Sequence, residues 1–219
     1  MKPSVLFIGK KNDFYCERAL EFIKSHFSNH EIFLGIRGER FPEAIHNWKG
    51  DYIISYLSPW IIPESLLNRS KKASINFHPG PPEYPGIGCT NFAIYNNERL
   101  FGVTSHHMVP EVDRGPIIVV KRFLLYETDN VFSLTQRCYG YILYLFYEIM
   151  SLILENKNLP QSDENWKRKP YRRKELNKLC RIKPDMPQEE IRRRVKAVTF
   201  PNAPGAYIEL EDMKFKYDR

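Results

Sequence analysis

The sequence of 219 residues lacks the patterns that mark several large protein classes. Its four cysteines are far apart, form no CxxC pair and have no histidine at zinc spacing, so we expect a reduced cytoplasmic protein without structural zinc. The most apolar stretch, residues 139–154, is too short to span a bilayer and contains Glu148. The N-terminus enters a strand-like run directly, which predicts no secretory signal peptide.

Glycine loops that bind phosphate are also absent. The first strand-like run ends in Gly-Lys-Lys-Asn-Asp at residues 9–13, which does not match G-x-G-x-x-G. No G-x-x-x-x-G-K-[ST] occurs in the chain, and there is no internal repeat. Because these two motifs cradle phosphates in dinucleotide-binding proteins and in P-loop NTPases, the sequence argues against both classes.

The charge is distributed unevenly along the chain. The net charge is +7, and the whole excess lies in residues 156–219, which hold 17 basic and 10 acidic side chains. Such a segment suggests a phosphate-bearing partner, namely a nucleotide, RNA or an acidic surface. A solvated basic face is the alternative that the charge alone leaves open.

Apolar runs and amphipathic segments alternate over the first 78 residues. Short apolar runs predict four buried strands, at residues 5–9, 31–35, 51–56 and 74–78. Helical spacing or a proline at a first turn predicts three helices, at residues 15–27, 42–48 and 63–68. This alternation predicts an α/β fold with a Rossmann-like parallel sheet flanked by helices.

The rest of the chain changes in character near residue 156. Before it, the pattern predicts two strands and a long apolar helix, at residues 102–109, 116–125 and 131–155. After it, the chain is basic and polar, with a predicted helix at 187–198, a breaker cluster at 201–205 and a terminal β-hairpin. We therefore predict a catalytic domain, residues 1–155, and a small basic C-terminal extension, residues 156–219.

Polar side chains with catalytic potential follow the fourth predicted strand. Asn76 and His78 are two residues apart, so on a strand they would lie on the same side. The loop at 79–86 contains four prolines and is therefore stiff. Asp113 lies in a polar turn between the next two strands. In open α/β sheets ligands bind outside the carboxyl ends of the strands, which is where Asn76 and His78 are expected.

An Asn, a His and an Asp together can catalyse the acylation of an amine. The imidazole takes a proton from the amine, the amide donates to the developing oxyanion, and the carboxylate orients the imidazole. No Ser or Cys is needed, because a neutral amine is itself a nucleophile. From the residues alone a second interpretation stays open, in which Asn76 and His78 only cap the end of the sheet.

Two paired motifs resemble those of a known family. Residues 76–80 and 84–86 read Asn-Phe-His-Pro-Gly and Tyr-Pro-Gly, and residues 113–117 read Asp-Arg-Gly-Pro-Ile. Together they resemble the N-x-H-P and D-x-G-p-I signature of the N10-formyltetrahydrofolate-dependent formyltransferases. The resemblance covers the predicted catalytic domain and implies three catalytic residues, Asn76, His78 and Asp113.

The same resemblance implies a binding site for N10-formyltetrahydrofolate and no metal. Residues 55–63 resemble the loop whose backbone groups hold the pterin in family members, with Pro59 in place of the usual Gly. His106 matches a position that is often His in the family. The residues assigned in this way to the formyl donor are Ser58, Trp60, Ile61, Ile62, His106 and Val112.

The C-terminal residues favour the branch that acts on amino sugars attached to nucleotides. The Gly-rich loop of most glycinamide ribonucleotide enzymes is missing, and 64 residues are too few for the barrel of the initiator-tRNA branch. Residues 169–173, 197–201 and 204–207 resemble the ends of sugar-nucleotide enzymes. We expect formylation of dTDP-4-amino-4,6-dideoxyglucose for bacterial surface polysaccharide synthesis, with phosphoribosylglycinamide formylation as the alternative.

Such an acceptor brings a diphosphate and a base. Arg172 and Arg173 are expected to bind the diphosphate, with Lys10 approaching from the end of the first strand. Tyr84 and Tyr171 are candidates for stacking on the base or the sugar.

We expect neither nucleic acid nor membrane as a partner. RNA binding by the basic extension, which contains Tyr and Trp residues, is the non-enzymatic alternative. Three aromatic residues of the long helix are candidates for a homodimer interface: Tyr139, Tyr144 and Tyr147.

Overall fold

The computed structural model describes residues 3–203 and 205–217. At its centre lies a six-stranded sheet with the order β2-β1-β3-β4-β5-β6. In chain order, the strands β1 to β6 are Val5–Lys10, His30–Gly35, Gly50–Tyr56, Ser70–His78, Leu100–His107 and Ile117–Leu124. The predicted α/β fold is confirmed, and its predicted strands are all found.

The sheet contains the predicted parallel strands and two antiparallel ones. Strands β1 to β4 are parallel, whereas β5 is antiparallel to β4 and β6 is antiparallel to β5. Apolar runs do not reveal strand direction. The short connection between β5 and β6 holds no helix to carry the chain back across the sheet, so the two strands pair antiparallel.

Helices cover the sheet on both faces. Helices α1 to α6 are Phe14–His26, Glu64–Leu67, Cys89–Tyr95, Val131–Leu154, Arg173–Cys180 and Gln188–Val198, and a 3₁₀ helix spans Glu43–Asn47. Alternate residues of β1 enter different cores: Val5 and Phe7 pack with α1 and α4, and Leu6 and Ile8 pack with α2 and the 3₁₀ helix. This two-sided burial explains the continuous apolar run of β1.

The C-terminal part of the chain packs against the same core as the sheet. It holds α5, α6 and a second sheet of three strands, β7 (Arg181–Ile182), β8 (Tyr207–Leu210) and β9 (Met213–Lys216). Four of its residues join the larger core cluster: Leu179, Ala197, Val198 and Ala206. The predicted helix and terminal hairpin are confirmed, Pro204 of the breaker cluster lies outside the described residues, and the division of the chain at residue 155 stays a prediction.

The long helix α4 belongs to the core. An Asn130 side chain caps its N-terminus through the Ser133 N–H, at 2.9 Å. Its apolar stripe is buried, as its helical spacing predicts: Leu134, Cys138, Ile142, Leu145, Ile149 and Ile153. Among the helices of residues 3–203 and 205–217, none is long and apolar enough to span a lipid bilayer.

Candidate active site

The end of β4 places polar side chains beside the end of β5. The antiparallel register pairs Asn76 with His106, and Asn76 Nδ2 lies 3.1 Å from His106 Nε2. His78, two residues further along β4, lies with its Nδ1 3.3 Å from a carboxylate oxygen of Asp113. The structure thus brings together Asn76, His78 and Asp113, with His106 as a fourth member.

Asp113 is the centre of this cluster. Its backbone adopts φ +47°, in the left-handed region that Asp tolerates better than most residues. Oδ1 lies 3.2 Å from His106 Nε2 and 3.5 Å from Asn76 Nδ2. Oδ2 accepts the Gly86 N–H at 2.7 Å and faces His78. Burial raises the pKa of Asp113, but His78, His106 and the Gly86 N–H outweigh it, so this pKa lies well below its usual range.

Each imidazole also contacts a backbone carbonyl. His78 Nε2 is 2.9 Å from the Tyr84 oxygen, and His106 Nδ1 is 2.8 Å from the His107 oxygen. Close backbone packing at Gly115 holds the second carbonyl in place, because a Cβ at Gly115 would lie only 1.8 Å from the His107 oxygen. The glycine of the D-x-G-p-I motif is therefore required for the orientation of His106.

Residues 156–172 form a segment, here called the strap, that lies against the proline-rich loop. The strap donates backbone hydrogen bonds from Lys167 to Pro82 at 3.0 Å and from Tyr171 to Pro85 at 2.9 Å. Gly86 lies so close to Tyr171 that a Cβ on it would be 2.4 Å from the Tyr171 oxygen. The loop that carries the Gly86 N–H to Asp113 is thus fixed by residues far along the chain.

Trp166 of the strap covers the two imidazoles. The edge of one aromatic ring meets the face of the other in both cases, with ring centroids 5.1 Å apart for His106 and 5.9 Å apart for His78. Trp166 is not among the site residues that the sequence predicted. A tryptophan in an otherwise polar, basic segment was the available signal, because such a residue needs an apolar surface to cover.

A cavity of about 1080 Å³ opens beside the cluster. The residues assigned to the formyl donor all line it: Ser58, Trp60, Ile61, Ile62, His106 and Val112. Asn76 and Asp113 also reach its wall, and both His78 and His106 are almost fully buried.

The predicted acceptor-binding residues divide into two groups. Tyr171, Arg172 and Arg173 line the cavity. Lys10 does not line the cavity. Its ammonium instead binds a carboxylate oxygen of Asp13 at 2.8 Å. Tyr84 does not either, because its side chain is buried and hydrogen-bonded to Glu98 and Asn96. The structure gives these last two residues contacts other than those the sequence suggested.

Tyr171 has no ring face left for a base. The Phe92 ring stacks on it at 3.7 Å and 11°, and the Arg168 guanidinium lies over it at 3.1 Å. Two groups this close must lie on opposite faces of the ring. The structure therefore leaves no free ring face for the expected stacking of Tyr171 on a base, and the ring contacts Arg168 at the cavity wall.

Three cations at the C-terminal wall of the cavity have no carboxylate partner in the described part of the chain: Lys169, Arg172 and Arg173. Arg168 differs from them, because Glu175 pairs with it at 3.0 Å. Burial and the neighbouring charge of Arg37 lower the pKa of Arg173. An anion bound beside Arg173 would offset the repulsion between the Arg173 and Arg37 charges.

Metal chemistry finds no support in the side chains. Within residues 3–203 and 205–217, no group of three or more His, Cys, Asp and Glu residues is arranged to hold a metal ion. His78, His106 and Asp113 instead contact one another and backbone groups.

Comparison with known proteins places the cluster in a family. Residues 34–140 match the family described as formyl transferase. A GDP-perosamine N-formyltransferase from Brucella melitensis is 31% identical over 177 residues, which cover 79% of this chain and 66% of that protein. The chain contains a formyl transferase domain. It spans about two thirds of the length of the Brucella protein.

Solved structures share the fold of this chain along nearly all of its length. A sugar N-formyltransferase from a Shewanella species has a TM-score of 0.77 at 18% identity and covers 98% of this chain and 96% of its own. An N-formyltransferase from Helicobacter canadensis, solved with folinic acid and dTDP-3-aminofucose, has a TM-score of 0.73 at 21% identity, covering 98% of this chain and 86% of its own.

The matched part of the formyl transferase domain contains the whole cluster around Asp113. Trp166 and the cations of the cavity wall lie beyond residue 140, outside that match. The cluster and its cover thus come from different parts of the chain, which is why the family motifs alone did not reveal the cover.

Proposed function

We propose that this protein transfers a formyl group from N10-formyltetrahydrofolate to the amine of a nucleotide-linked amino sugar. One observation carries the proposal. The buried Asp113 contacts an amide and two imidazoles beside a cavity whose wall also carries Arg172 and Arg173. The cluster suits acyl transfer to an amine, and the cations suit a diphosphate. The likeness to the Brucella enzyme supports the same reaction class.

The formyl donor fits the wall formed by the loop after β3. Ile61 is 71% exposed and Val112 is 41% exposed, so both offer apolar surface to a flat ring system. Trp60 is held beside them, because its Nε1–H donates to the Glu39 carbonyl at 2.9 Å. When bound, the donor supplies an activated formyl carbon. The chain supplies the Asn76 amide, which donates to the carbonyl oxygen of that group as negative charge develops on it.

The acceptor occupies the side of the cavity near α5. Arg172 and Arg173 bind its diphosphate, and this remote binding holds the sugar amine against the formyl carbon. In this proposal residues 1–155 supply the reacting cluster and residues 156–219 supply the diphosphate site. The specific acceptor that we propose is dTDP-4-amino-4,6-dideoxyglucose. The Brucella relative is named for GDP-perosamine, and the Helicobacter structure holds dTDP-3-aminofucose, so base and amine position are the variables to test.

The biological setting follows from this acceptor. We propose a cytoplasmic enzyme that modifies sugar nucleotides for a bacterial surface polysaccharide and acts as a homodimer. Tyr144 of α4 is 58% exposed and supports an interface on that helix. Tyr139 and Tyr147 are less available, because they pack against Tyr15 and Phe22.

The test is an amine-formylation assay with N10-formyltetrahydrofolate. The panel contains dTDP-linked and GDP-linked amino sugars with the amine at C3 or C4, and glycinamide ribonucleotide. We expect turnover with a sugar nucleotide and the highest kcat/KM with the dTDP-linked 4-amino sugar. Higher kcat/KM for glycinamide ribonucleotide would overturn the assignment. Tight binding of mixed RNA that weakens steeply with salt, without any formylation, would favour the RNA-binding alternative.

A further inference from the structure

We propose that Arg37, on the turn after β2, binds the diphosphate of the acceptor together with Arg173. The inference rests on the proposed function, because the diphosphate belongs to the acceptor named there. The sequence predicted Lys10 as the cation that the first half of the chain supplies, but Lys10 is bound to Asp13. The structure offers Arg37 in its place.

The turn that carries Arg37 is closed by two hydrogen bonds. Within residues 36–39, the Glu39 N–H donates to the Ile36 carbonyl at 3.2 Å. A carboxylate oxygen of Glu39 accepts the Ile36 N–H at 2.9 Å. Gly38 has φ +96°, which glycine adopts without strain. The backbone is thus held on both sides of Arg37, and the exposed side chain starts from a fixed point.

Trp60 attaches this turn to the cavity. Its Nε1–H donates to the Glu39 carbonyl at 2.9 Å, and Trp60 itself lines the cavity. The end of β2 packs against the same ring, because a Cβ on Gly35 would lie 2.2 Å from the indole. The turn therefore lies at the edge of the cavity, beside the wall that we assign to the formyl donor.

Arg173, the first residue of α5, brings a second guanidinium to the same place. It lines the cavity, and burial and then the charge of the nearby Arg37 lower its pKa. Arg37 forms no ion pair within residues 3–203 and 205–217, since the carboxylate of Glu39 is used by the Ile36 N–H. Two neighbouring guanidinium groups without a carboxylate between them favour a bound anion.

The number of cations favours a diphosphate over a single carboxylate. Arg172 and Lys169 line the same cavity as Arg173 and have no ion-pair partner in the described part of the chain. A diphosphate carries two negative charges on adjacent phosphates, and one guanidinium can bind two of its oxygens at once. Arg37 adds such a group from outside α5, so that two elements far apart in the sequence hold the anion.

Equilibrium binding tests this site without turnover. Titration calorimetry would measure the affinities of dTDP, GDP and inorganic pyrophosphate for wild type and for Arg37→Ala. Each probe contains a diphosphate, so we expect all three affinities to fall by a similar factor of about ten. Equal affinities in Arg37→Ala and wild type, or no binding of any probe to wild type, would overturn the inference.

Arg40 provides the matched control. It lies three residues beyond Arg37 and is also exposed, so Arg40→Ala removes one positive charge from the same loop. Its affinities for the three probes should stay within about twofold of wild type. An equal loss in Arg40→Ala and Arg37→Ala would show general attraction of anions in place of a contact by Arg37, and would also overturn the inference.

Steady-state kinetics separates the acceptor from the formyl donor. Arg37→Ala should raise the acceptor KM about tenfold and leave kcat and the donor KM close to wild type. Arg37→Glu should raise the acceptor KM further, because its carboxylate can pair with Arg173. A rise in the donor KM alone would assign Arg37 to the glutamate carboxylates of N10-formyltetrahydrofolate and contradict the proposal.

The two kinds of experiment also separate this inference from the proposed function. If wild-type protein formylates no amine, the proposed reaction fails. In that case a tenfold weaker binding of pyrophosphate and both nucleotides by Arg37→Ala, with normal binding by Arg40→Ala, would still establish the anion site at Arg37.

Discussion

Trp166 donates its indole N–H to the carbonyl oxygen of Gly115 at 2.8 Å. The two residues lie 51 positions apart, and this bond fixes the edge of the indole against His106. The turn that presents Asp113 is therefore tied to the segment that covers it.

Loss of the Trp166 ring should affect turnover more than binding. We expect Trp166→Ala to lower kcat by roughly tenfold to a hundredfold, because both imidazoles lose a packing partner and water gains access to Asp113. Trp166→Phe keeps a ring but loses the bond to Gly115, so its kcat should be intermediate. Steady-state kinetics with both substrates varied gives the split between kcat and KM. Trp48→Phe, in the core on the other face of the sheet, is the matched control.

Asp113→Asn should combine a catalytic loss with a change in acid stability. Without the carboxylate, kcat should fall by about two to four orders of magnitude, with the affinity for the formyl donor largely kept. The pKa of Asp113 is lowered on folding, so its ionised form stabilises the fold above about pH 4, the pKa in the unfolded chain. This stabilisation is lost as the pH falls further. The difference in Tm between wild type and Asp113→Asn should therefore shrink from pH 7 to pH 3.

Asp51 provides the control for that experiment. A backbone hydrogen bond from Ser4 lowers the pKa of Asp51, which lies far from the cavity. Asp51→Asn should change the dependence of Tm on pH and leave kcat unchanged. An Asp113→Asn protein with wild-type kcat would remove Asp113 from the mechanism.

Arg172→Ala and Arg173→Ala should weaken acceptor binding selectively. Each variant loses a charge-assisted hydrogen bond to phosphate, so the acceptor KM should rise about tenfold. The KM of the formyl donor should stay nearly unchanged. Arg192 on α6 is also exposed, so Arg192→Ala controls for the loss of one positive charge. An unchanged acceptor KM in the double variant would exclude these residues as the diphosphate site.

Tyr171 should matter through its ring and not through its hydroxyl. Tyr171→Phe keeps the stacking on Phe92 and the contact with Arg168, so stability and KM should stay close to wild type. Tyr171→Ala should lower the free energy of unfolding by about 2–4 kcal/mol, since a packed aromatic ring is lost. Urea unfolding of the two variants measures the difference. A large rise in acceptor KM in Tyr171→Phe would restore a direct role in binding.

Variants of two glycines test whether the close packing of Gly115 against the His107 carbonyl is needed for stability and turnover. Gly115→Ala must displace the His107 carbonyl, and overpacking of this kind costs about 1–3 kcal/mol or more and should also lower kcat. Gly140→Ala in α4 is the opposite case, because a Cβ there would lie 4.0 Å from its nearest neighbour, on Tyr15. It should raise the stability by up to about 1 kcal/mol through helix propensity. Thermal unfolding of both variants gives the comparison.

Sequence patterns sufficed for the elements that have strong periodicity. The buried strands and the apolar helix α4 follow from apolar runs and helical spacing. Helices α3 and α5 were missed for two different reasons. Helix α3 has only seven residues and begins right after the proline- and glycine-rich loop. Helix α5 carries so many charges that only Leu179 is buried.

The site was predictable where residues are close in sequence or share a motif. Asn76 and His78 lie on one strand, and Asp113 has a motif of its own, so their clustering followed from the motifs. The carbonyl partners of the two imidazoles were not predictable, because the Tyr84 and His107 carbonyls meet these rings only in the folded chain. Tyr171 looked like a free aromatic in the sequence, and only tertiary packing against Phe92 shows that its ring faces are covered.

The strap follows the Asp113 cluster in the sequence, so in a growing chain it is synthesised after the cluster. Domains fold from the N-terminal side as a polypeptide leaves the ribosome, and every member of the Asp113 cluster precedes residue 114. Trp166 and the residues that clamp the proline-rich loop emerge about fifty residues later, which takes seconds at ordinary rates of synthesis. Until the strap emerges, a growing chain has no Trp166 to cover the two imidazoles, so we expect formyl transfer only after the strap has docked.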